Sequence, residues 1–177
     1  MSIVISVIEK NEKVYIASDK RAIKNGQIND NYQKIYKINE KVYFGMTGIA
    51  EDGLFQLAYI KLYKKKESSE LIKICDNLSL KQFEKLAISI VGINENKNCF
   101  IWQKNNQDLK TFEIGKEESI NYSINSNDNI DLYSDFFKTQ LMKGNSVIKS
   151  IGETIIFASE NDLSISRKYE IIELHNS

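Results

Sequence analysis

Histidine is almost missing from this sequence. Its 177 residues contain one, His175, the third from the end, where fraying is expected. A Ser-His-Asp triad and a multi-histidine metal site are therefore poor candidates for any chemistry here. Net charge is missing too, because 24 Lys and Arg balance 24 Asp and Glu. Without a cationic surplus, nucleic acid is not an expected partner. Cysteine is scarce: Cys75 and Cys99 read as buried, reduced thiols of an intracellular protein, with a disulfide as the minor alternative. Long apolar runs are lacking. The longest, 3–8 and 86–93, are far too short to span a bilayer. The opening MSIVISVIEK also lacks the basic and then long apolar stretches of a secretion signal. The expectation is a cytoplasmic protein with no membrane partner. No linker, repeat or low-complexity break divides the chain, so 1–177 is expected to form one domain. At that size, roughly 70% of the surface of the extended chain can be buried without disulfide help. Ile, Lys and Asn are abundant throughout, so Asn-rich stretches are not signals in themselves. The run Lys64-Lys65-Lys66 reads as the solvated end of a helix.

What is present is a clear change of period along the chain. β-branched and apolar residues at 2–8 and 14–17 flank the polar turn 9–13, which predicts a hairpin. Asn25-Gly26 marks a turn, and short strands follow at 35–38 and 42–46. From residue 49 the spacing becomes helical, with Leu54, Leu57, Ala58, Ile60 and Leu62 as an apolar stripe. A second helix is expected over 69–75, resuming at 80–86 behind a Ser79 cap. Strands at 87–93 and 99–103 enclose the polar turn 94–98, and another strand is expected at 111–114. After a polar segment, 121–129, a helix over 131–143 ends at Gly144. Asn145 or Ser146 caps the next helix, in which Val147, Ile148, Ile151, Ile155 and Ala158 share one face. Strands at 163–165 and 169–174 close the chain. Helices paired between antiparallel hairpins indicate an α+β fold, and a four-layer αββα sandwich fits this order.

With histidine removed, the available bases are carboxylates, lysines and the terminal amine. Initiator methionine is commonly removed before a small residue, which would make Ser2 the first residue. An α-amino group with an ordinary pKa of about 7.7–8.0 is partly neutral at physiological pH and can serve as a base. Together with the hydroxyl of the same residue, it forms a complete nucleophile-base unit. Taken alone, Ser2 is simply a small second residue. Three further segments add to it. Ala17-Ser18-Asp19-Lys20-Arg21-Ala22 puts charges directly after an apolar strand. Lys34-Ile35-Tyr36-Lys37-Ile38 places lysines among apolar residues at strand spacing, so that one of them can be drawn inward. Phe44-Gly45-Met46-Thr47-Gly48 ends a strand at the start of a helix, offering a backbone N–H to an oxyanion.

Together these segments resemble the β subunits of the proteasome and the related HslV-type peptidases, which are N-terminal-nucleophile (Ntn) hydrolases. Counting from Ser2, Lys34 lies 32 positions on (34 − 2) and Gly48 lies 46 on (48 − 2), matching the family's separations. Asp19 sits one place beyond the family's acid. The resemblance implies the αββα fold and specific roles. Ser2 would be the nucleophile and its amine the proton shuttle. Lys34, as an ammonium or sharing a proton with Asp19, would lower the pKa of the Ser2 hydroxyl, and the Gly48 N–H would hold the oxyanion. Ser126 and Asp162 would orient the N-terminus, while Arg21, Met46 and Ala50 would line the pocket before the scissile bond. The chain departs from the family in three places: Ser2 stands where threonine is usual, Asn125 and Asn127 replace glycines, and Ile165 replaces a serine. The resemblance further implies a peptide-bond hydrolase needing no cofactor or metal. It would be assembled as a homo-oligomeric ring around an inner chamber and fed protein substrate by an AAA+ unfoldase. A catalytically inactive structural subunit and a small-amide amidohydrolase are the alternatives.

Overall fold

The computed structural model describes residues 2–177. Strands β1 (Ile3–Glu9) and β2 (Lys13–Asp19) form the expected hairpin, followed by a small second one, β3 (Ala22–Lys24) and β4 (Gln27–Asn29). Asn25 and Gly26, at φ +51° and +76°, make its turn; the primed turn they form suits the twist of a two-stranded ribbon. Next come β5 (Ile35–Asn39), β6 (Val42–Thr47), α1 (Ala50–Lys61) and α2 (Ser68–Asp76). They are followed by β7 (Ala87–Ile93), β8 (Cys99–Asn105), β9 (Lys110–Ile114) and β10 (Ile120–Ser126). Helices α3 (Ile130–Met142) and α4 (Val147–Asn161) and strand β11 (Tyr169–His175) complete the chain.

Two antiparallel sheets, β10-β1-β2-β11 and β5-β6-β7-β8-β9, lie face to face, and a helix pair covers each outer face. The core falls into three layers accordingly. Val4, Ile8, Val14 and Ile16 meet Ile35, Val91 and Ile101 between the sheets. Phe44, Ile88, Ile90 and Trp102 pack under Leu57 and Ile60 of α1 and Leu71 and Cys75 of α2. On the opposite side, Ile3, Ile5 and Val7 pack against Tyr133 and Phe137 of α3 and Ile151 and Ile155 of α4. Strand β1 thus sends alternate side chains into two layers and is buried on both faces. This is why 3–8 reads as an unbroken apolar run. Because β1 and β2 are central, the start of one and the end of the other are fixed together deep in the sandwich.

Some expectations fail for identifiable reasons. Segment 80–86 forms turns, not a helix. Asp108, from the β8–β9 connection, accepts from Leu80 N at 2.8 Å and Ser79 Oγ at 3.3 Å, so the supposed cap is drawn away. The polar stretch beginning at 121 is largely strand β10, held by a full ladder to β1 from Ile3↔Ser126 to Glu9↔Ile120. Residues 163–165 are a turn, because Asp162 Oδ1 accepts from both Ser164 N (2.8 Å) and Ser164 Oγ (2.6 Å). His175 is not frayed: it pairs opposite Lys13 at the end of β11, and its Nε2 lies 3.0 Å from Glu173. In α4, Ser146 provides the cap and Val147, Ile151, Ile155 and Ala158 are buried, but Ile148 is exposed. Of the α1 stripe, Leu57 and Ile60 are buried, whereas Leu54 and Leu62 face outward. The cysteines are free thiols, and burial pushes Cys75 up to about 12 and Cys99 up to about 11.

Candidate active site

Ser2 precedes the first residue of β1 and is only 3% exposed. Its neighbour Ile3 donates its backbone N–H to Asp19 Oδ1 at 3.0 Å, so the end of β2 grips the start of β1. Asp19 is fully buried and its carboxylate is fully engaged. Oδ1 also accepts from Lys34 Nζ at 2.7 Å, while Oδ2 accepts from Arg21 N at 2.9 Å and Ser166 N at 3.2 Å. Four donors thus converge on this one buried carboxylate. That in turn makes it a fit partner for a buried ammonium.

Lys34 precedes β5, with 5% of its side chain exposed. Burial pushes its pKa below the usual lysine value; the charge and hydrogen bond of Asp19 oppose that, and the nearby Arg21 cation adds to it. A lysine with a weakened hold on its proton, lining the same cleft as a serine, is of the type that stabilises an alkoxide or relays a proton.

Gly48 lies between the end of β6 and the start of α1, at φ +101°. A Cβ there would stand 2.4 Å from the carbonyl oxygen of Lys85. Both the backbone angle and the close approach therefore require glycine. Behind it, Met46 Sδ packs onto α1 at Gly53, where a Cβ would come within 2.0 Å of the sulfur.

These groups share one cleft of about 740 Å³, lined by Ser2, Arg21, Lys34, Met46, Gly48 and Ala50 among others. Asp19 stands behind it through Lys34. Ser126, at the end of β10, pairs in register with Ile3, and its hydroxyl has no hydrogen-bond partner among the described residues. Asp162 is spent on Ser164 and thereby shapes the turn after α4. Sequence reasoning missed several participants. Asp30 binds Arg21 through both oxygens, at 2.6 and 2.9 Å. The N–H of Ser166 reaches Asp19, the Lys85 carbonyl crowds Gly48, and Tyr32 and Asn127 line the cleft. Asp30 follows a predicted turn and sits among asparagines, so nothing nearby singles it out. The Ser166 contact is made by backbone, which no residue pattern encodes.

Two face-to-face antiparallel sheets flanked by helix pairs make up the fold of proteasome-type Ntn hydrolases. Eukaryotic HslV from Trypanosoma brucei has this fold, matching with a TM-score of 0.67 over 98% of this chain and 99% of that one, at 14% identity. Residues 5–91 match the family model described as "Proteasome subunit", and that segment holds Asp19, Lys34 and Gly48. No curated protein matches the chain by sequence. Among the described residues, no helix is long and apolar enough to cross a membrane.

Proposed function

We propose that this protein is a peptide-bond hydrolase in which Ser2 is the nucleophile, once the residue preceding it has been removed. One observation carries the reading: Ser2, Lys34 and Gly48 line the same cleft, with Asp19 locked onto Lys34 at 2.7 Å behind them. Met1 itself lies outside the described residues. In the proposed reaction the freed Ser2 amine takes the hydroxyl proton, directly or through one water, as Oγ attacks the substrate carbonyl. The Lys34 ammonium favours the developing alkoxide, and the Gly48 N–H donates to the tetrahedral oxyanion. Collapse expels the leaving amine, which carries away the proton held by the Ser2 amine. Water then attacks the ester, with the same amine as base, and restores the hydroxyl.

The unpartnered Ser126 hydroxyl is a ready hydrogen-bond partner for that amine, while Asp162 acts on it through the turn that brings Ser166 to Asp19. Met46 and Ala50 form an apolar wall for the substrate side chain before the scissile bond. We further propose a homo-oligomeric ring that encloses the clefts and receives unfolded protein from an AAA+ ATPase. Incubation with a peptide epoxyketone, which must react with both the hydroxyl and the free amine of one residue, tests the site. The expected result is one adduct per chain, located at Ser2 by peptide mass spectrometry. Absence of an adduct on a chain shown to begin at Ser2 would refute the catalytic reading.

A further inference from the structure

Arg21 lines the cleft, yet much of its guanidinium is committed elsewhere in the protein. Nε and Nη2 bind the two oxygens of Asp30 at 2.6 and 2.9 Å, and Nη1 donates to the carbonyl of Leu163 at 2.6 Å. Leu163 sits in the turn between α4 and β11 and is 86% exposed, so packing holds this turn only further on, at the buried Ile165. Three residues further on, Ser166 N donates to Asp19 Oδ2, beside the backbone N–H of Arg21 itself. Arg21 therefore touches Asp19 through its backbone and, through its side chain, ties down the turn that delivers another of Asp19's donors. We propose that Arg21 is a positioning residue: anchored on Asp30, it clamps the turn after α4 against Asp19 and so fixes the Asp19–Lys34 pair.

A planar fork suits this task and an ammonium does not, because two parallel bonds to Asp30 and a third to Leu163 diverge from one rigid group. The Arg21 cation has a second, separable effect, lowering the proton affinity of Lys34. The charges facing Lys34 are Asp19 from the end of β2, Arg21 just beyond it, and Asp30 from the end of the β3–β4 hairpin. The other charged residues on the cleft wall are Lys24 and Glu51, paired at 2.6 Å, and Glu84 and Lys85.

Clamp and charge can be separated with Arg21→Lys and Arg21→Met in the full chain. The first readout is amide hydrogen exchange across 162–168, and the second is the pH dependence of trace amine labelling at Lys34, both read by peptide mass spectrometry. Exchange across 162–168 is expected to quicken by about tenfold or more in both variants, the order set by loss of a charge-assisted hydrogen bond. With the pair loosened, the Lys34 titration is expected to move from its native position in both variants, and to lie at higher pH in Arg21→Met, which also loses the cation, than in Arg21→Lys. Native-like exchange in both variants would overturn the proposal, as would a native-like Lys34 titration in both. The part of this inference that concerns turnover rests on the Ser2 reading, and there the expected result is a lower kcat in both variants with KM less affected. Neither of the first two readouts needs activity. An inactive native protein with quickened exchange in the variants would therefore sink the Ser2 reading and leave the clamp standing.

Discussion

Removing Asp19 and removing Lys34 should have very unequal consequences, although the two form one ion pair. In Asp19→Ala, four donors lose their acceptor together: Lys34 Nζ and the backbone N–H groups of Ile3, Arg21 and Ser166. An ammonium with 5% of its side chain exposed is left without a counter-ion, a defect worth about 3–5 kcal/mol. Each orphaned N–H adds to that cost by up to about 1–3 kcal/mol where water cannot reach it. Lys34 can shed its proton, which limits the total, so a net loss of about 4–6 kcal/mol is expected. In Lys34→Met, by contrast, the carboxylate keeps three backbone donors. The methionine stem also replaces most of the buried lysine chain, so a loss of about 1–2 kcal/mol is expected. Urea unfolding of both variants and the parent, at one protein concentration and neutral pH, measures the difference. A Lys34→Met variant as unstable as Asp19→Ala would refute the claim that backbone donors, and not the lysine, hold the carboxylate in place.

Three further outcomes follow from the same geometry. Lys34 holds its proton less tightly in the folded protein than in the unfolded chain, so as the pH rises toward the ordinary lysine value the unfolded state binds more protons and stability from this group rises with pH. Lys34→Met should flatten that part of the stability–pH curve, and an unchanged slope would contradict the assigned burial. Gly48→Ala places a Cβ 2.4 Å from the Lys85 carbonyl at φ +101°, which should cost about 2–4 kcal/mol. By calorimetry that is a melting temperature roughly 5–15 °C lower; native stability would mean that the loop is not as close as described. Cys75 and Cys99, raised to about 12 and about 11, should resist iodoacetamide at neutral pH until urea is added. Rapid labelling of the native protein would show that their layers open.

The layer order was legible because it depends on local pattern: hairpins at 3–19 and 87–105, and helices in pairs between them. Asp19, Lys34 and Gly48 came from the sequence by a resemblance of spacing, counted from Ser2, that holds for Lys34 and Gly48 and is one place off for Asp19. What the sequence hid is non-local. Strand β10 alternates Tyr122 and Ile124 with asparagine and serine, and its conformation is imposed by the ladder to β1, where tertiary pairing outweighs weak strand propensity. The helix expected at 80–86 fails because Asp108, brought in by a hairpin far along the chain, captures its first N–H. Arg21 read as pocket lining, since no local pattern reveals a partner such as Asp30 or an acceptor such as the Leu163 carbonyl.

The central claim, that the chain's own amine replaces the missing histidine, is tested most directly at the N-terminus. Terminal sequencing, with the intact mass of the protein isolated from its native cell, decides it. The account predicts a chain beginning at Ser2 with a free amine; a chain uniformly beginning at Met1 would contradict it.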